Sequence, residues 1–153
     1  MNIRNYRGGV CIAAFFLTAM ASTAQTFTLL KSFSGTNGAL PFAPLVQGFD
    51  GKLYGTTEEG GTTDGGTVFK ITTAGKLTTV YTFCAEAGCP DGSEPVGGLT
   101  LDTTGVLYGT TEIGGNGAYG TVFTISRSGA LATIYNFCTS TNCPDGEIGR
   151  AHV

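Results

Sequence analysis

The sequence predicts an all-β chain of β-propeller type: tandem four-stranded antiparallel blades, about two of them complete, preceded by an N-terminal strand. That number of blades leaves the ring incomplete. Three observations predict this. First, LYGTTEEGGTTDGGTVFKI, starting at Leu53, returns as LYGTTEIGGNGAYGTVFTI starting at Leu107, a step of 107 − 53 = 54 residues. When Gly51–Gly92 is laid on Gly105–Gly146, 24 of 42 positions are identical, and they cluster as LYGTT, GG, GTVF and CPDG rather than scattering. A fixed period of this size marks solenoids, propellers or arrays. Second, charged residues make up only 12% of the chain, against about 25% in an ordinary domain. Thr, Val, Tyr and Phe are frequent instead, and such side chains fit a pleated surface. Third, each unit holds four short apolar runs bounded by turn residues.

Taken from the N-terminus, residues 1–24 read as a signal peptide. Arg4 and Arg7 supply a positive start, GVCIAAFFLTAMA an apolar core, and ASTAQ small residues that place cleavage after Ala24. The apolar run is shorter than the ~20 residues of a membrane-spanning helix, so no membrane span is expected. Cys11 sits inside that run with no lipoprotein cleavage motif around it.

Residues 26–50 form a partial repeat. TFTLLKSF aligns with the fourth strand of a unit, as an orphan strand able to close a ring, and Asn37-Gly38, Pro41, Leu45 and Gly51 match Asp91-Gly92, Pro95, Leu99 and Gly105. Blade 1 is expected over 44–83 and blade 2 over 98–137. In blade 2 the four runs are GLTLD, VLYGTT, GTVFTI and LATIYNF. The first two are joined by TTG and the last two by SRSG, short glycine-containing links that suit hairpins. The middle pair is joined by the longer EIGGNGAY. A four-stranded meander follows, and twisted sheets of this kind hide their faces by stacking on one another. Gly55 and Gly109 are expected to let backbones approach where blades crowd. Tyr54, Tyr108, Phe69 and Phe123 are expected in the core.

Residues 138–146 begin a further repeat, and there the register stops. Residues 147–153, EIGRAHV, can be back-translated as ATC GGA AGA GCA CAC GTC from Ile148 onward. That string resembles a sequencing-library adapter, so this tail is read as an artefact that includes the single histidine, His152. The natural chain is expected to continue in repeats.

LTLDTTGVLYGTT followed by GTVFTI and LATIYNF resembles the GloVer tandem repeat of bacterial secreted proteins with variable C-terminal anchors. More loosely, it is similar to the blades of NHL-type propellers. The resemblance covers Thr26–Gly146. It implies an exported, often surface-attached array, and it carries no biochemical activity with it.

Four cysteines form two local pairs, Cys84 with Cys89 and Cys138 with Cys143. The partial copy writes the same loop as FSGTNG, four residues shorter and without cysteine. In an oxidising compartment one disulfide per loop is expected. A shared zinc ion is the other reading of two C-x4-C pairs, but loops on adjacent blades should lie too far apart to meet on one ion. No metal site is expected.

No nucleophile elbow, P-loop or dinucleotide motif is present, so neither a catalytic residue nor a cofactor is expected. A net charge of −3 offers no basic footprint for nucleic acid. Glu58 and Glu112 occupy the same place in both units, at the start of the long loop. They are the binding candidates, for a cation or for sugar hydroxyls, against the plain alternative of solvated loop carboxylates. Asp91 and Asp145 read as turn formers in Asp-Gly. Two functions follow. The first is an exported, surface-associated repeat protein with a structural or binding role toward a glycan or a protein. The second is a fragment of a lactonase- or glycosidase-like propeller enzyme whose catalytic blades lie outside this chain. Catalysis asks for different residues on different blades, and these units repeat each other, which favours the first.

Overall fold

The computed structural model describes residues 26–146. The expected signal peptide and the expected artefactual tail lie outside the described residues. Eight strands make two sheets, each a meander in chain order. The first sheet is β1 (Val46–Gln47), β2 (Leu53–Thr57), β3 (Thr67–Ile71) and β4 (Leu77–Thr82). The second is β5 (Thr100–Leu101), β6 (Leu107–Thr111), β7 (Thr121–Ile125) and β8 (Leu131–Asn136). All pairings are antiparallel, no helix occurs among the described residues, and the sheets do not close into a barrel. This is an all-β pair of blade-like repeats.

The 54-residue step holds at the level of register. Gly55 opposes Phe69 as Gly109 opposes Phe123, and Leu53 opposes Ile71 as Leu107 opposes Ile125. One feature is absent from the sequence reading. Val68 pairs with Tyr81 while Phe69 pairs with Thr79, so Val80 is an extra residue in β4, and Ile134 repeats this in β8. A bulge of this kind bends the strand and increases its twist.

The core lies between the two sheets. The first sheet contributes Val68 and Phe83, and the second contributes Leu99, Leu107, Phe123 and Ile125. The Phe83 ring meets Phe123 edge-on with centroids 5.0 Å apart, a favoured aromatic geometry. Leu99 is 7% exposed in this core, whereas its counterpart Leu45, on the outer face of the first sheet, is 48% exposed. Two expectations need correction. Phe69 and Phe123 are buried, but Tyr108 is exposed and Tyr54 only half-buried. Tyr108 lies on the far side of the second sheet, where no further sheet covers it among the described residues. Gly55 and Gly109 do allow close approach, though of side chains and not of backbones. A Cβ at Gly55 would collide with the Phe69 ring and Leu45, and one at Gly109 with Phe123 and Leu99.

Residues 26–33 join no ladder, so no strand forms there. The segment still packs as the fourth strand of a preceding unit would. Phe33 meets Phe69 edge-on with centroids 5.0 Å apart and planes at 64°, the same values as for Phe83 on Phe123.

Candidate functional site

The loops at one end of the sheets form a rim built twice from the same parts. Its base is a buried hydroxyl pair. Thr57 and Thr67 place their Oγ1 atoms 2.8 Å apart, and Thr57 Oγ1 also accepts the Thr67 N–H at 3.1 Å. Thr111 and Thr121 repeat this at 2.8 and 3.0 Å. The LYGTT and GTVF motifs therefore meet through their threonines, which satisfy one another in a place that water does not reach. Gly38 and Gly92 cover the two pairs. A Cβ at either would strike Thr57 or Thr111, and both glycines take positive φ, 110° and 96°.

Each rim section is then clasped by the loop that arrives from the preceding unit. The Gly115 N–H donates to the Cys89 carbonyl at 2.8 Å, and the Gly61 N–H donates to the Gly35 carbonyl at 2.8 Å. Gly35 thus stands where Cys89 stands. The Asp-Gly and Asn-Gly turns also correspond. Asp91 accepts the Cys84 N–H at 3.2 Å, as Asn37 Oδ1 accepts the Ser34 N–H at 2.8 Å. Asp91 further accepts the Tyr81 hydroxyl at 2.8 Å, and Asp145 accepts Tyr135 at 2.8 Å and the Cys138 N–H at 3.1 Å. Burial, with the Asp91 carboxylate beside it, pushes the Tyr81 phenol up to about 12. The Asp145 carboxyl is held below the ordinary range, first by the Tyr135 hydroxyl. These aspartates are more than turn formers. They tie the end of the fourth strand to the loop, a role the sequence signals by the constant spacing from Tyr to Asp, Tyr81 to Asp91 and Tyr135 to Asp145.

Disulfides join Cys84 to Cys89 and Cys138 to Cys143. Each closes the four-residue insertion that separates the cysteine loops from the Ser34–Asn37 version. All four cysteines have positive φ, the backbone form of a tight loop.

A family model described as the Gloeobacter/Verrucomicrobia repeat matches residues 14–152. The chain belongs to this repeat family. No curated protein matches it.

In this Gloeobacter/Verrucomicrobia repeat protein, Glu58 and Glu112 sit at equivalent rim positions, each half-buried. The Glu58 N–H donates to the Leu40 carbonyl at 3.1 Å and the Glu112 N–H to the Glu94 carbonyl at 2.9 Å. Glu94 is the rim residue that sequence reasoning missed, because its counterpart in the partial copy is Leu40 and no motif contains it. Burial raises the Glu94 carboxyl above the ordinary range, and Glu112, Glu58 and Glu59 add to the rise. The two candidate glutamates are therefore brought near a third carboxylate. Among the described residues no group of three or more His, Cys, Asp or Glu side chains is arranged to hold a metal ion. What the rim displays is backbone-stapled acid on a fixed support.

Proposed function

We propose that this repeat protein is exported and acts at the cell surface as a structural or binding module, presenting its loop rim to a glycan or a protein partner. The observation that carries this reading is the duplication of the rim itself. The threonine pair, the glutamate, the Asp–Tyr tie and the disulfide loop recur with the same partners in both units, as suits repeated presentation and not a single reacting centre. Local disulfides fit an oxidising compartment, and the N-terminal segment has the plan of a signal peptide. Expression of the full chain in a secreting bacterial host, followed by fractionation and intact mass under non-reducing conditions, tests the reading. The expected product begins at Gln25, lacks free thiols in the rim loops and is found outside the cytoplasm. An uncleaved cytoplasmic product with free rim thiols would overturn it.

A further inference from the structure

The end of the sheets opposite the rim holds a cleft of about 470 Å³ between the two units, within the range of small-ligand sites. Here the repetition fails. Phe49, Asp50, Lys70 and Arg127 all line the cleft, and their counterparts 54 residues away are Thr103, Thr104, Thr124 and Thr73. None of those four threonines lines it. Four departures from the repeat, each from threonine to a charged or aromatic residue, thus converge on one space.

The charges are not neutralised within it. Asp50 is taken up by Lys52, whose Nζ lies 2.6 Å from Oδ2, and by the Tyr54 hydroxyl at 3.1 Å. Among the described residues neither Lys70 nor Arg127 has a carboxylate within ion-pair distance. Arg127 comes from the β7–β8 turn, packs on Gly105, where a Cβ would strike its guanidinium, and lies over Phe49 of the other unit at 5.8 Å from the ring centroid. A cation stacked on an aromatic ring is held in place while its donors stay available. Hydroxyls of Thr78, Ser126 and Ser128 complete the wall.

We propose that this cleft binds a carboxylated saccharide, such as a uronate unit of an acidic polysaccharide. Lys70 and Arg127 hold its carboxylate, the wall hydroxyls bond its ring hydroxyls, and Phe49 and Tyr54 meet its apolar edge. A guanidinium fork and an ammonium are the natural partners of a carboxylate. The inference deepens the binding role proposed above and rests on it for its biological setting, though not for its chemistry.

Calorimetric titration of the full chain with digalacturonate, at low ionic strength, tests it. Neutral galactobiose and inorganic sulfate serve as comparison arms. Digalacturonate should bind at millimolar concentration or below, more weakly as salt rises, and galactobiose should not. Lys70→Thr and Arg127→Thr restore the residue of the other unit and should each weaken binding about tenfold, on the order of 1.4 kcal/mol, with unchanged melting. Thr124→Lys, at the position equivalent to Lys70 but outside the cleft, should leave binding as it was. Equal binding of galactobiose, full retention of affinity in both variants, or no heat with digalacturonate would overturn the proposal. Competition by sulfate as effective as by digalacturonate would assign the cleft to small anions and overturn the saccharide. Export and surface attachment are read separately by fractionation of the Lys70→Thr/Arg127→Thr double variant. If that variant still attaches to the envelope while wild type shows no uronate binding, the cleft assignment fails and the surface role stands. If wild type binds uronate yet stays in the cytoplasm, the reverse holds.

Discussion

Thr57 shows how much one hydroxyl can organise. It accepts the N–H of Thr67 and shares a hydrogen bond with its side chain, in a place with no exposure to solvent. Replacing it with valine keeps the shape but strands a buried donor, a loss of about 1–3 kcal/mol. Thr57→Val should therefore lower the denaturant midpoint by that equivalent, whereas Thr57→Ser should recover most of it. Glu94 makes the opposite case, a residue that works against the fold. Its carboxyl is raised by burial and then by Glu112, Glu58 and Glu59. The native state therefore keeps the proton longer than the unfolded chain does, and stability falls as pH climbs from the unfolded value near 4.5 through the native one. Glu94→Gln should abolish that fall and melt at higher temperature than wild type at neutral pH. At pH values below the window the two proteins should differ little. Thermal melts across the acid range read both outcomes.

The disulfide loop is the element whose role changes once its partners are known. Chain-entropy reasoning assigns so short a closed ring about 2 kcal/mol. The Ser34–Asn37 loop makes the same clasp, from the Gly61 N–H to the Gly35 carbonyl, with no disulfide. The double substitution Cys84→Ser, Cys89→Ser should accordingly cost about 2 kcal/mol while leaving the β-sheet signal in circular dichroism intact. Collapse of the sheet signal would show that the bridge, and not the Asp91 tie, holds the rim. The bulges at Val80 and Ile134 are a second feature at this scale. Alternating apolar residues in LTTVYTF and LATIYNF announce a strand, but an added residue opposite Val68 or Val122 leaves no mark in that alternation. A bulge is a relation between two strands and has no signature in either alone.

Across the whole molecule, burial is set by which neighbour is present and not by residue type. Val68 is fully buried against the second sheet while Val122 is only half-buried. Ile134, equivalent to the packed Val80, is 55% exposed. Leu99→Ala should cost about 2–5 kcal/mol as a core truncation, and Leu45→Ala, the same change one repeat earlier, about 0.5 kcal/mol or less. Equal costs measured by denaturant unfolding would mean that the two sheets do not stack as described. The cleft belongs to this scale too, since its walls come from both units.

The sequence by itself determined the unit: its period, its four strands, the hairpin links and the pairing of cysteines within each loop. These depend on contacts near in sequence or on a pattern written twice, so alternation, turn residues and spacing suffice to read them. Glu58 and Glu112 could be named because both copies carry them. Only the tertiary structure decided what those units do to each other. Glu94 joins the glutamates because a loop from one unit crosses to the next, and Tyr108 is exposed because nothing described stacks behind it. Lys70 and Arg127 lie 57 residues apart in the chain (127 − 70), outside every repeated motif, and meet in one cleft through the packing of two sheets. A repeat announces its own interior many times over, but a surface formed between repeats is written in residues that occur once.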